Sequence, residues 1–159
     1  MIKVRMQIDN EAILDSCKGW GLIYIDADKR TAPPEKKIDT TSYAEQEGEH
    51  ADLRTVADVF DYKVRFAVSA PNKNLKNANS VIARFNDAIR RKGVGDIQTK
   101  RRLTFYNDHD RVKIVGYPEL IAEPTSFYRL QSGAVMDCAE VELTIHVTNP
   151  SECDFDLAL

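Results

Sequence analysis

Between Cys138 and Thr148 every second side chain falls on one side: Ala139, Val141, Leu143, Ile145 and Val147 are apolar, and Glu140, Glu142, Thr144, His146 and Thr148 face the other way. A period of two, rich in β-branched residues, predicts a strand with one buried face. The same alternation opens the chain at Ile2, Val4, Met6 and Ile8, and it returns in DYKVRFAVS, where Tyr62, Val64, Phe66 and Val68 share a side. Asp9-Asn10 closes the first run with turn-forming side chains. Residues 11–20 predict one or two helical turns ended by Gly19. Gly21–Ala27 (GLIYIDA) is apolar on both sides of its alternation, which predicts a strand covered on both faces or lying at a subunit contact.

The period changes once. Val81, Ile82, Phe85, Ala88 and Ile89 form a stripe at 3.6 residues per turn, and Asn77 or Asn79 can cap it. The spacing predicts a helix over 78–92, with Arg90, Arg91 and Lys92 in its last turn and Gly93 as the residue beyond its end. Alternation then resumes on either side of Asp108-His109-Asp110, as a hairpin of 102–107 and 111–116. Pro118 and Pro124 bound an irregular link, 127–131 reads as a weak strand turning at Gly133, and 138–148 closes the sheet. Strands joined by hairpins, with one helix, predict a mainly β protein of the α+β type: an antiparallel β-sandwich or barrel with one packed α-helix and a long extended loop. We expect a single β-rich domain over residues 1–150 and a short acidic tail over 151–159, in which Phe155 and Leu157 are able to dock.

The long loop is residues 28–56, where the hydrophobic pattern disappears into Pro33-Pro34, a lysine pair and the acidic run EQEGEH. Compact domains seldom carry so long a connection without a use for it. Two readings stand side by side: a solvated surface loop, or an arm that orders against a neighbouring subunit, anchored by Tyr43 and Leu53.

Composition narrows the classes. The chain has 159 residues, 43% hydrophobic and 30% charged, enough to build a core. A net charge of −3 and a pI near 5.6 argue against a general nucleic-acid binder. Three cysteines, Cys17, Cys138 and Cys153, show neither close pairing nor zinc spacing and read as small apolar fillers in a reducing compartment. No signal-peptide core and no run approaching the roughly 20 apolar residues of a membrane span occur, so no membrane partner is expected.

Candidate chemistry is sparse. Asp108-His109-Asp110 resembles a metal or proton-transfer triplet, but neighbours in a tight turn point apart, and these are ordinary turn residues. His50 sits in the acidic run, and His146 lies on the polar face of its strand near Glu140 and Glu142, where cross-strand partners account for it. No GxSxG elbow occurs, and Gly93-Val94-Gly95 follows a helix where a phosphate loop would open one. We expect no enzyme, no catalytic or metal-binding residue and no cofactor. A small enzyme combining His109 or His146 with a cysteine is a third class.

Arg90, Arg91, Lys92, Lys100, Arg101 and Arg102 gather six cations within a short span. They suit a charge-complementary subunit contact with the acidic loop 45–52, or, as the alternative function, a nucleic-acid-binding β-barrel using the cluster 90–102. The subunit-interface candidates are accordingly Tyr43, Leu53, Arg90, Arg91, Lys92, Arg101 and Arg102.

The succession of a long polar loop, DYKVRFAV, NSVIARFNDAIRR, LTFYNDHDRVKIVGY and AEVELTIHVTNP resembles the distal tail and tail-tube proteins of long-tailed bacteriophages over residues 20–150. The loop 40–53 lacks the Gly-rich start often seen in that family. The resemblance implies a β-sandwich carrying one helix, in a non-enzymatic part of a phage or prophage tail. It implies a homo-oligomeric, hexameric ring in the tail tube or its distal end, other tail proteins as partners, and DNA passing through the lumen. It further implies a life in the host cytoplasm during assembly and in the virion tail afterwards.

Overall fold

A computed structural model describes residues 2–35, 40–42, 49–51, 57–69, 78–92, 98–129 and 135–157. In chain order the elements are β1 (Val4–Ile8), β2 (Leu14–Asp15), α1 (Ser16–Trp20), β3 (Leu22–Ala27), β4 (Thr40–Ser42), β5 (Glu49–Ala51), β6 (Phe60–Ser69), α2 (Ala78–Ala88), β7 (Arg90–Lys92), β8 (Gln98–Lys100), β9 (Leu103–Asn107), β10 (Val112–Arg129) and β11 (Val135–Val147). A 3₁₀ turn, Pro150–Glu152, follows. The architecture is mainly antiparallel β, as the alternation predicts.

Seven strands form one sheet in the order β2-β1-β9-β10-β11-β6-β3. Its two outermost strands, β2 and β3, are joined in sequence by α1, so the sheet curls back on itself. Opposite walls meet inside: Tyr62 of β6 lies against Phe105 of β9 with ring centroids 6.0 Å apart. The inward sides of β1, β6, β9 and β11 are buried as their alternation requires, with Val4, Met6, Ile8, Val64, Phe66, Val68, Leu143 and Ile145 at 2% exposure or less. Burying such side chains, at roughly 1.5–3 kcal/mol each, is what holds the curl together. Phe85 of α2 fills one end of this core and meets Trp20 of α1 edge-on at 5.5 Å.

The curl turns on β10. Its first residues, 112–116, pair with β9, and from Tyr117 onward it pairs with β11. A Cβ at Gly116 would lie 2.4 Å from the His146 carbonyl oxygen, so only glycine lets the two strands approach here. The expected irregular link at Pro118–Pro124 is instead part of this continuous strand. The β9 ladder has already ended at Gly116, so Pro118 interrupts nothing on that side, and Pro124 falls within the register shift between Glu123 and Ser126.

The helix is also shorter than its stripe predicts. It ends at Ala88, and Arg90–Lys92 form a two-stranded ribbon with Gln98–Lys100 instead of a last helical turn. The chain following Lys100 competes for the helix end: the Arg101 N–H donates to the Ile89 carbonyl at 2.9 Å, and its guanidinium donates to the Ala88 carbonyl at 3.3 Å. The earlier helix likewise ends at Gly21, with φ of 74°, and not at Gly19. Asp15 caps its start by accepting from the N–H groups of Cys17 and Lys18.

In β3, Leu22 and Tyr24 point inward, and a register shift between Tyr24 and Asp26 resets the alternation. That bulge explains why the segment reads as apolar on both sides, and it leaves Ile25 exposed. Within the long loop, β4 and β5 pair as a hairpin, and the Asp58 N–H donates to the Pro34 carbonyl across the loop's base. The tail docks on β10: Asp154 bridges Lys113, the Leu157 N–H donates to the Arg111 carbonyl, and Phe155 packs on Phe60.

The turn after β9 is organised by Asn107, which is fully buried. Its Oδ1 accepts from the N–H groups of His109 and Asp110, and its Nδ2 donates to Asp110 Oδ2 and the Tyr24 hydroxyl. Asn107→Ala is expected to destabilise the fold by about 1–3 kcal/mol, since two N–H groups lose their acceptor. Urea denaturation checks it, and a loss below a few tenths of a kcal/mol would mean that water replaces the side chain.

Candidate functional site

Among the proposed contact residues, Arg101 and Arg102 are engaged within their own chain. Arg101 Nε donates to Asp9 Oδ2 at 2.8 Å and Nη2 to Glu11 Oε1 at 2.6 Å. Hydrogen bonds to these two carboxylates push its pKa further up, so it is a fixed charge. The Arg102 N–H donates to Asp9 Oδ1, and its side chain pairs with Glu152. Together these residues tie the turn after β1 to the end of α2 and to the tail. Arg90 is exposed and sits opposite Lys100 in the ribbon. Arg91 and Lys92 lie on the same strand, but their side chains are outside the described residues, as are Tyr43 and Leu53 and most of the acidic run.

The outer face of the β10–β11–β6–β3 half carries a cross-strand ladder of charge. Tyr117, His146 and Asp61 form one row; Glu119, Thr144 and Lys63 the next; Ile121, Glu142, Arg65 and Asp26 the third. Arg65 grips Asp26 through two parallel bonds, Nε–Oδ1 at 2.8 Å and Nη2–Oδ2 at 2.7 Å, which hold that carboxyl below its usual range. Tyr117 and Ile121 add exposed apolar surface at the border.

His146 is bound from both sides. Its Nδ1 lies 2.6 Å from Asp61 Oδ1 and its Nε2 3.0 Å from Glu119 Oε2. Bonds to Glu119 and then Asp61 raise its pKa above the ordinary imidazole value, while His146 in turn lowers that of Glu119. Sequence proximity points to Glu140 and Glu142, yet the partners come from β6 and β10. A strand's own sequence carries no signal of its neighbours' register, so this arrangement is visible only once the sheet is assembled.

Among the described side chains, the other histidines and cysteines form no comparable constellation. His109 sits in the turn that Asn107 organises, and His50 lies on β5 opposite Thr41. Cys17 and Cys153 are half-buried free thiols, and burial pushes the Cys153 thiol up. Cys138 lies on β11 opposite Ser69. Among the described residues, no group of three His, Cys, Asp or Glu side chains converges to hold a metal ion, and no helix is long and apolar enough to cross a membrane. Two grooves among the described residues are open. One, of about 480 Å³, lies on the outer face of β1, β9 and β10 and includes Gln7, Thr104, Tyr106 and Lys113. The other, of about 420 Å³, runs past Val59, Asp61 and His146.

No family model and no curated protein matches the sequence. A solved structure does match the fold: the crystal structure of the SPP1 Dit (gp 19.1) protein, described as a paradigm of the hub adsorption apparatus in phages infecting Gram-positive hosts. The superposition has a TM-score of 0.54 at 13% sequence identity and takes in 92% of this chain. The chain spans 50% of the length of that protein. What the two share is a fold, here a curled antiparallel sheet.

Proposed function

We propose that the chain is a non-enzymatic structural protein of a phage or prophage tail, which self-assembles into a hexameric ring forming part of the tail tube or its distal end. The observation that carries this reading is the fold shared with a tail hub protein over nearly the whole chain. The same reading accounts for an outer surface built of charge ladders and open grooves. Other tail proteins are the further partners, DNA passes through the lumen, and the protein moves from the host cytoplasm into the virion tail.

A closed ring needs one patch to meet a different patch on the next copy. Arg90, Arg91 and Lys92 on the β7–β8 ribbon form one side of the proposed contact, and the acidic loop with Tyr43 and Leu53 forms the other. Arg101 and Arg102 support the ribbon through their bonds to Asp9, Glu11 and Glu152. The test is solution mass together with electron micrographs of the purified chain. Rings several times the 18.0 kDa protomer are expected; a monomer that persists at high concentration overturns the reading. Reversing the cations (Arg90→Glu, Arg91→Glu, Lys92→Glu) is expected to reduce the particles to protomers, and an unchanged particle size in light scattering would remove this patch from the contact.

A further inference from the structure

We propose that His146 is a proton-operated latch at the seam of the curled sheet: charged, its imidazole joins Asp61 of β6 to Glu119 of β10, and neutral, it releases one of them. The geometry carries this. Both ring nitrogens face carboxylate oxygens, at 2.6 and 3.0 Å. A carboxylate only accepts, and a neutral imidazole has one N–H. The two-sided bridge therefore requires the imidazolium; without its second proton, one nitrogen lone pair confronts an oxygen lone pair and that contact opens.

The position gives the latch leverage. His146 lies on β11 between Asp61 and Tyr117, and its carbonyl oxygen is the atom against which Gly116 is pressed. That is where β10 changes partner from β9 to β11. The charged groups facing it are Asp61 from β6, Glu119 from β10 and Lys100 from β8, whose Nζ is 3.9 Å from Glu119 Oε2. In the next rows Lys63 pairs with Glu142 at 3.9 Å and Arg65 with Asp26. Lys100 offers Glu119 a second partner when the imidazole is neutral, so Glu119 is the carboxylate that is released. The groove lined by Val59, Asp61, Val147 and Thr148 then carries an unbalanced negative charge. The latch stands whether or not the chain builds a tail.

The folded protein holds the proton more tightly than the unfolded chain. The stabilisation is thus fully present below the ordinary imidazole value of roughly 6.5 and is lost as pH rises through the folded value. Ring-proton NMR of His146 during a pH titration tests this. A midpoint above the ordinary value is expected, lowered in Asp61→Asn and again in Glu119→Gln. A midpoint at or below the ordinary value, or one that neither carboxylate variant moves, overturns the latch. In parallel, the thermal advantage of wild type over His146→Gln is expected to shrink by roughly 1–3 °C between about pH 5.5 and 8, a small effect because the site is half-exposed to solvent. A difference that stays flat across that range also overturns it. Should His146→Gln fail to fold, the titration of wild type and the carboxylate variants decides alone.

Discussion

Gly116→Ala is expected to cost about 3 kcal/mol or more, a large share of the roughly 5–15 kcal/mol that typically holds a domain folded. The added methyl would sit 2.4 Å from the His146 carbonyl oxygen and 2.8 Å from Ile145 Cγ2. The first of these is ladder backbone, at the end where β10 and β11 begin to pair, and it cannot turn aside as a side chain can. Relief would require β10 and β11 to part at the point where the sheet folds over. Urea unfolding should show a midpoint far below wild type with little change in slope, or no folded population at all. Gly19→Ala is the comparison: its methyl would meet Leu14 Cβ at 2.9 Å, so relief there requires only the short, exposed edge strand β2 to shift. Equal, small losses at both glycines would show that the close approach at Gly116 is not needed for the curl.

Phe85→Ala is expected to lose about 3–5 kcal/mol, the usual range for emptying a buried phenylalanine site. Phe85 is fully buried and joins three groups: the sheet interior, its own helix and Trp20 of α1. Arg84, the residue before it, rests over the Trp20 ring at 5.7 Å. Trp20 is the single tryptophan of the chain, so its emission reports directly on whether α2 remains seated. The expected result is a red-shifted emission together with the stability loss. Phe85→Leu should retain most of both. A loss under about 1 kcal/mol with unchanged emission would mean that α2 contributes little to closing the core.

What the sequence made legible follows from which interactions are local. The buried faces of β1, β6 and β11 were readable because a period of two belongs to each strand alone. The turn at 108–110 was readable because Asn107 organises it from an adjacent position. The end of α2 was not, because the carbonyls of Ala88 and Ile89 are taken by Arg101, which lies beyond the ribbon. Nor was the continuity of β10, since a proline reads as a break unless one knows that no β9 ladder remains for it to interrupt. The apolar reading of GLIYIDA needed a bulge whose existence depends on β6. His146 is the plainest case: its charge partners are set by the register of two other strands, and nothing near it in the chain points to Asp61 or Glu119.

The strand order has a consequence for how the chain reaches this state. β1 pairs with β9, and the ion pair between Arg5 and Asp108 closes a separation of 103 residues. β6 similarly takes its central partner, β11, from near the end of the described chain. A ribosome releases these strands in sequence, so Val4, Met6 and Ile8 leave it with only the two-residue β2 close behind, long before β9 exists to pair with their other edge. Pairings this distant make folding slow and let the core close only after most of the chain has emerged. During that interval the first strand is an apolar edge in search of a partner, and the cell, not the fold, has to keep it from finding the wrong one.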